Sequence, residues 1–214
     1  TVMIKAGDIC GLVGSDGAGK TTLLRMIATM VRPTCGTIRV DGHNVVNRKS
    51  SVKEVIGYMP QRFGLYQDLT VAENLDFFMD IYGIKGAERA RRRDYYLGFS
   101  NLLPFVDRKA GDLSGGMKQK LGLACVLVHQ PKALILDEPT TGLDRLQTTR
   151  MMEILRKFVR ENGITLIQVS HDMRQVAEYC DRVVVIDTGK IVYEGMPSQL
   201  FANQSVLDLA HLEA

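Results

Sequence analysis

A glycine-rich segment at Gly14–Thr21, GSDGAGKT, matches the pattern G-x-x-x-x-G-K-[ST]. A loop of this kind presents successive backbone N–H groups to phosphate oxygens, and the helix that follows adds the positive end of its dipole. Lys20 would reach the β and γ phosphates, and the Thr21 hydroxyl would be a ligand of Mg²⁺. Because a buried strand pattern precedes the motif and a helical pattern follows it, a chance glycine turn explains it less well. The motif therefore predicts a nucleoside triphosphate site.

A carboxylate pair, Asp137–Glu138, follows the apolar run ALIL. At the end of a buried strand, an aspartate can hold the Mg²⁺ shell beside bound phosphates, and Glu138 next to it could polarise an attacking water molecule. Such a pair can also cap the next turn, and for Asp137 alone that interpretation competes. Together with the phosphate loop, the pair favours triphosphate hydrolysis. The pattern N-K-x-D of guanine-specific proteins is absent, which favours adenine and hence ATP.

A second glycine-rich segment, LSGGM at Leu113–Met117, precedes the helical pattern MKQKLGLACVLV, which predicts an amphipathic helix. Adjacent glycines forfeit backbone entropy, and the serine buries no apolar surface. At a helix N-terminus, however, these residue types leave N–H groups free to point at an anion. The segment therefore predicts a second anion-facing site, whose ligand the residues alone leave open.

Near-continuous Val/Ile/Leu runs favour strands that are covered on both faces, as in a parallel sheet. Glycine and proline mark where several of these runs end. The segment Ile186–Gly195 favours a hairpin with Gly189 in its turn. The predicted strands are Asp8–Gly14, Gly36–Gly42, Val55–Pro60, Ala133–Asp137, Ile164–Ser170 and Arg182–Asp187.

Apolar residues at helical spacing predict the helices Lys20–Val31, Val71–Tyr82, residues 87–97, the segment after LSGGM, Leu146–Glu161 and Met173–Tyr179. This order predicts an α/β fold of the P-loop NTPase kind, with a mostly parallel sheet and a helical insertion. We expect a single domain over residues 1–214, with a helical subdomain at residues 70–128 and the rest of the domain at residues 1–69 and 129–214.

The composition is that of a soluble protein with a filled core, with 45% hydrophobic and 24% charged residues. A net charge of +3 is too small to argue for nucleic acid or an anionic membrane. The basic run Glu88–Arg93, ERARRR, favours a solvated helix face over a nucleic-acid patch. Cys10, Cys35, Cys125 and Cys180 have no C-x-x-C spacing, so we expect buried free thiols in a reducing compartment. No apolar run is long enough to cross a bilayer.

At this point the chain resembles the nucleotide-binding domain of the ATP-binding cassette (ABC) ATPases, and LSGGM matches that family's signature loop. The resemblance implies that Ser114, Gly115 and Gly116 meet the γ-phosphate of an ATP held by a partner domain. Two cassettes would pair head to tail, with each ATP between Gly14–Thr22 of one and Leu113–Met117 of the other. In this arrangement, the anion that the segment Leu113–Met117 faces is the γ-phosphate of the partner's ATP.

The resemblance also gives roles to residues that would otherwise pass as ordinary polar positions. Gln61 resembles the Q-loop glutamine that senses Mg²⁺ and the transport domain. Asp144, in TGLD, resembles the D-loop contact across the dimer, and His171, in VSHD, resembles the switch histidine that contacts the γ-phosphate and orients the water with Glu138. The implied nucleotide-binding residues are Gly14, Ser15, Asp16, Gly17, Ala18, Gly19, Lys20, Thr21, Thr22, Ser114, Gly115, Gly116 and Asp144. The implied catalytic residues are Glu138, His171 and Gln61, and the implied metal ligands are Thr21, Gln61 and Asp137.

The resemblance implies ATP and Mg²⁺ as cofactors, a second cassette and a separate transmembrane permease as partners, and no nucleic acid. It places the chain on the cytoplasmic face of the cell membrane. The alternative is a non-transport ABC ATPase that acts on DNA or the ribosome. Genome-maintenance members insert a very long coiled coil between the Q-loop and the signature, whereas here only 52 positions separate Gln61 from Leu113. A small P-loop kinase would have no use for LSGGM or His171.

Three features depart from the family pattern. The resemblance implies a small antiparallel β-subdomain, in which an upstream strand supplies an aromatic residue that stacks on adenine. No aromatic residue precedes Gly14 here, so either that strand is missing or another part of the chain replaces it. Asp16 stands where asparagine is usual and adds negative charge near phosphate, and Arg145 replaces a common proline. Residues up to about 144 resemble drug-efflux exporters, whereas the remainder resembles energy-coupling-factor importers. Cargo and direction of transport therefore stay open.

Overall fold

A six-stranded sheet carries the phosphate loop in the computed structural model, which describes residues 1–210. Its strand order is β4-β5-β6-β1-β7-β8, with β5, β6, β1 and β7 running parallel and β8 antiparallel to β7. Strands β2 and β3 form a separate antiparallel pair. The strands are β1 (Ile9–Val13), β2 (Arg39–Val40), β3 (His43–Asn44), β4 (Ile56–Met59), β5 (Ala133–Asp137), β6 (Thr165–Val169), β7 (Arg182–Asp187) and β8 (Lys190–Gly195).

The helices between the strands confirm the mixed α/β class. Two short 3₁₀ turns, Leu103–Phe105 and Ala110–Asp112, precede the signature segment. The α-helices are α1 (Lys20–Ile27), α2 (Lys49–Val55), α3 (Val71–Ile81), α4 (Gly86–Phe99), α5 (Gly115–Leu127), α6 (Arg145–Asn162), α7 (Met173–Tyr179), α8 (Pro197–Phe201) and α9 (Gln204–Leu209).

The chain divides into two compact units. The first unit comprises residues 1–58, 132–139 and the chain from Arg156 onward; the second unit comprises residues 59–131 and 140–155. The subdomain boundaries expected at residues 70 and 128 stay a prediction, and residues 211–214 of the expected domain lie outside the described residues.

The parallel strands of the first unit bring three loops to one edge of the sheet. All five residues of β1 are buried, and β5 is buried from Leu134 to Asp137. Leu24 of α1 belongs to the same apolar cluster as Leu12 and Ile135 of these strands. Because the carboxyl ends of parallel strands meet at one edge, the loops after β1, β5 and β6 lie together there.

The helices of the second unit are joined by apolar packing and by ion pairs. Helix α3 begins with a capping box in which Thr70 and Glu73 bond each other's backbone N–H groups. Every residue from Leu121 to Leu127 of α5 is buried. The prediction of an amphipathic helix after LSGGM is therefore wrong for its C-terminal half, which is covered on all sides.

The basic run lies on α4, as predicted, but its arginines are paired. Arg89 and Arg93 bind Asp76 of α3, whereas Arg91 and Arg92 bind Glu88 one turn earlier. The side chains of Arg89 and Arg92 are only 24% and 17% exposed. Arg89 and Arg93 therefore tie α4 to α3, whereas Arg91, which is 74% exposed, lies on a solvated face as predicted.

Several local predictions need correction. The strand predicted at Gly36–Gly42 shortens to two residues, and α1 ends at Ile27 because Thr29 turns to a φ of 63°. Helices α2, α8 and α9 were not predicted. Cys35 is exposed, although the other three cysteines are buried and all four are free. Within residues 1–210, no helix combines the length and apolar character needed to cross a bilayer.

Candidate functional site

The phosphate loop connects β1 directly to α1, as the motif predicts. Gly14, Gly17 and Gly19 have φ values of 149°, 79° and 105°, which L side chains rarely adopt. At Gly14 an added Cβ would lie 2.0 Å from the carbonyl oxygen of Ile186, in β7. The first glycine is thus required both by its own backbone conformation and by the neighbouring strand.

The hairpin between β7 and β8 supports the far side of this loop. Its two turn residues, Thr188 and Gly189, both have positive φ, as a two-residue type I′ turn requires. The Gly189 N–H donates to the Ala18 carbonyl at 2.9 Å. The predicted hairpin and its glycine are confirmed, but their contact with the phosphate loop could not be read from the sequence.

Lys20 is the buried cation of the loop, with only 6% of its surface exposed. Its Nζ donates to the carbonyl oxygens of Gly14 and Ser15, at 2.8 and 2.9 Å. Burial lowers the pKa of Lys20, and the charges of nearby Asp16 and Glu138 oppose this shift. The ammonium group is therefore held over the loop, where the oxygens of a phosphate could replace the two carbonyls.

Thr21 and Asp137 meet, as expected for ligands of one metal ion. The Thr21 hydroxyl donates to Asp137 Oδ1 at 3.2 Å, and Asp137 is 3% exposed. Burial raises the pKa of Asp137, whereas the hydrogen bond from Thr21 and the positive charges of Arg25 and Lys20 lower it. The two atoms that meet are oxygens of the kind that Mg²⁺ prefers as ligands. In the described part of the chain, no cluster of three or more His, Cys, Asp or Glu forms a metal site, and Mg²⁺ commonly needs only one or two protein ligands beside phosphates.

Glu138 and His171 are brought together from the ends of neighbouring strands. His171 Nε2 lies 2.7 Å from Glu138 Oε1 and 3.7 Å from Asp16 Oδ1. Glu138 has a φ of 54°, an uncommon value for a residue with a side chain. Backbone strain of this kind concentrates at functional sites. The arrangement places a carboxylate, an imidazole and the phosphate loop around one position.

The remaining predicted residues lie in the second unit and are described there by themselves. Ser114 is the N-cap of α5 and accepts a hydrogen bond from the Met117 N–H at 3.3 Å. The helix therefore begins at Gly115, two residues earlier than predicted, and both signature glycines are in its first turn. Gln61 is exposed. The Asp144 carboxylate accepts from the Gln147 N–H at 2.8 Å and so caps α6.

Sequence reasoning missed Gln147. Its side-chain Oε1 lies 2.6 Å from where a Cβ would stand on Gly116. The sequence did contain a signal for the position of Gln147 on its helix. Residues 144–147 read D-R-L-Q, and an N-cap residue that is followed three positions later by Glu or Gln marks a helix start. The pattern shows where Gln147 stands on its helix but not which loop its amide touches.

Comparison with known proteins agrees with this geometry. The family model described as ABC transporter matches residues 1–141. Over 197 residues, the chain is 44% identical to the probable multidrug ABC transporter ATP-binding protein YbhF of Escherichia coli K12, covering 92% of this chain but 34% of that protein. The chain thus spans about a third of the length of this relative.

Two solved structures share the fold. The structure of CbiO1 from Clostridium perfringens, described as part of the ABC transporter complex CbiONQ, has a TM-score of 0.86 and 32% identity, and the match covers 97% of this chain and 84% of that one. A dimeric, post-hydrolysis structure of the ATP-binding cassette MJ0796, bound to ADP and Pi, has a TM-score of 0.81 and 28% identity, and covers 92% and 88%. The chain belongs to the ABC transporter family and is one of its ATP-binding ATPase cassettes.

Proposed function

We propose that this chain binds Mg-ATP at Gly14–Thr22, hydrolyses it, and thereby powers a membrane transporter through ATP-driven, head-to-tail pairing of two cassettes. The observation that carries the proposal is the constellation in the first unit. There, Lys20 lies over the phosphate loop, Thr21 meets Asp137, and Glu138 meets His171.

The chemistry follows from these positions. Phosphate oxygens would take over the two hydrogen bonds that Lys20 now gives to carbonyl groups, and the charge-assisted bonds formed in this way are stronger. Glu138 would accept a hydrogen bond from the attacking water and polarise it toward the γ-phosphate. The imidazole of His171, bound to Glu138, would fix the direction of that carboxylate and contact the γ-phosphate. Such positioning and charge stabilisation supply most of the catalysis in phosphoryl transfer.

Mg²⁺ would be held by the Thr21 hydroxyl and by Asp137, directly or through water. When bound, it would neutralise charge on the β and γ phosphates. The third expected ligand, Gln61, stays a prediction from the resemblance. The other loop residues, Ser15 to Gly19 and Thr22, would contribute mainly backbone N–H groups and the helix N-terminus.

The signature loop would complete the site of a partner cassette. Ser114, Gly115 and Gly116 stand at the N-terminus of α5, where the helix dipole and N–H groups favour an anion. The dimeric state of the MJ0796 cassette supports such pairing here. Asp144 would make a further contact across the dimer. Whether the two cassettes are identical stays open.

Pairing of the two cassettes would drive a conformational change in a separate transmembrane permease. The cassette would be bound peripherally on the cytoplasmic face of the membrane. The description of CbiO1 as part of a transporter complex supports this partnership.

The experiment mixes two inactive chains. Lys20→Ala removes the cation of the phosphate loop and leaves a sound signature, whereas Ser114→Arg fills the signature and leaves a sound phosphate loop. Their heterodimer contains one complete composite site. We therefore expect the mixture to recover ATPase activity that neither chain has alone, as measured by phosphate release.

Because Ser114 also caps α5, its replacement costs about 1 kcal/mol of stability whatever else it does. A Ser114→Ala chain loses the same cap without filling the signature, so its melting temperature measures how much of the stability loss comes from the cap alone. A mixture that is shown to contain heterodimers and yet has no activity would exclude head-to-tail pairing.

A further inference from the structure

The two signature glycines have different surroundings. A Cβ added to Gly115 would have no heavy atom within 4 Å, so this side of the loop is open. A Cβ added to Gly116 would lie 2.6 Å from Gln147 Oε1 and 3.4 Å from Leu143 Cδ2. The loop thus has one exposed glycine that can receive a ligand and one glycine that is covered by the segment before and within α6.

The segment that covers Gly116 is itself well held. Asp144 caps α6 twice, since its carboxylate accepts from the Gln147 N–H at 2.8 Å and its carbonyl from the Thr148 N–H at 2.9 Å. The Leu143 N–H donates to the Thr140 carbonyl at 3.1 Å. The turn and the first residues of α6 therefore form one hydrogen-bonded unit that projects Leu143 and Gln147 onto the signature loop.

The identity of residue 147 is informative. Either Glu or Gln at this third helical position suits a capping box, but only Glu would also interact favourably with the helix dipole through its charge. Gln has nearly the same shape without the charge. A carboxylate here would stand against the loop that, in the proposed function, must accept the γ-phosphate of a partner. The neutral amide avoids that repulsion and still fills the space above Gly116.

We propose that Gln147 is a positioning residue for the signature loop: its amide rests on Gly116 and holds the open Gly115 face toward the partner's γ-phosphate. The proposal rests on the proposed head-to-tail function. It also joins two elements that would otherwise act separately, because the residue that positions the signature is bonded through its backbone to Asp144.

Two substitutions separate positioning from folding. Gln147→Ala keeps the backbone N–H that Asp144 binds and introduces a good helix former, so we expect normal thermal stability and a KM for ATP raised about 3- to 10-fold. Gln147→Glu should keep or raise the melting temperature, since Glu favours this helix position. It should nevertheless raise KM further, on the order of tenfold or more, because its charge opposes the incoming phosphate.

The mixture of Lys20→Ala and Ser114→Arg chains supplies the matched control. Only the Lys20→Ala chain gives its signature to the live composite site. With ATP kept well below the KM of the parent, Gln147→Glu placed in that chain should therefore remove most of the recovered activity. The same change placed in the Ser114→Arg chain, whose signature is already blocked, should have little effect.

Equal effects from the two placements, or a Gln147→Glu homodimer with the KM of the parent, would overturn the role of Gln147 while leaving the composite site intact. If the mixture without any change at Gln147 recovers no activity although heterodimers are present, the proposed pairing itself is wrong, and this inference fails with it. Purification of both variants with the parent's melting temperature ensures that activity and not folding is compared.

Discussion

Asp16 gives the phosphate loop an unusual charge. Its side chain is 97% exposed, and its carboxylate lies 3.7 Å from His171 Nε2, so the imidazole stands near two carboxylates at once. Once polyphosphate occupies the loop, the Asp16 carboxylate faces a like charge. If the loop binds ATP as proposed, we therefore expect the charge of Asp16 to weaken that binding.

Replacement of Asp16 by Asn tests this conclusion. The amide keeps the shape and removes the charge, so we expect the KM for ATP to fall about 2- to 5-fold, a modest effect because exposed charges are screened. The gain should shrink as salt rises, and steady-state kinetics at two ionic strengths measures both effects. Asp208→Asn removes an equal charge from α9 and serves as the control. An unchanged KM, or a gain matched by the control, would contradict a local effect of Asp16.

The phosphate loop depends on the β7–β8 hairpin as much as on its own glycines. A side chain at Gly14 would collide with the backbone oxygen of Ile186, which cannot move without disturbing the strand. We expect Gly14→Ala to lower the free energy of unfolding by about 3 kcal/mol or more, the range of backbone strain combined with overpacking. Chemical denaturation measures this loss.

Gly17→Ala is the matched control, because Gly17 also has a positive φ but an added Cβ there meets nothing within 4 Å. Its cost should be that of the backbone conformation alone, ~1–2 kcal/mol. Equal losses at the two glycines would show that the hairpin gives way and does not constrain the loop.

Elements with strong local patterns were predictable from the sequence. The runs ALILD and RVVVID are buried on both faces of the sheet, so apolar residues occupy successive positions and do not alternate with polar ones. A continuous apolar run of this length predicts a strand. Helices α2, α8 and α9 have seven residues or fewer, so packing against the rest of the unit stabilises them more than propensity does. For the same reason the burial of α5 on all sides, which depends on its neighbours, was missed.

Within the site, the residues were predictable but their distances were not. The motifs named Lys20, Asp137, Glu138 and His171, because each motif follows a recognisable strand. The contacts from Gly189 to Ala18 and from Gln147 to Gly116 join segments far apart in the chain. No local pattern encodes such a contact, since it exists only after the sheet and helices have assembled.

In the proposed function, each of the two compact units carries one half of a composite site. The first unit has the phosphate loop and the pair Glu138–His171, and the second has the signature at the N-terminus of α5. Each half-site is built to face an anion, through a buried ammonium in one case and helix N–H groups in the other. Since the proposed site joins the halves of two chains, ATP itself would be the strongest link between them.

The variant Glu138→Gln should allow the ATP-bound dimer to be measured directly. The amide keeps the approximate shape but cannot act as a base, so we expect hydrolysis to slow by ~10²-fold or more. It also removes a negative charge beside the γ-phosphate, so the ATP-bound dimer should accumulate. Gel filtration with ATP should then show a dimer, whereas ADP, or the double variant Lys20→Ala/Glu138→Gln with ATP, should show a monomer.

A Glu138→Gln chain that binds ATP in a direct titration and still elutes as a monomer at high protein concentration would contradict the head-to-tail dimer. Retention of the parent's hydrolysis rate would instead remove Glu138 from its catalytic role.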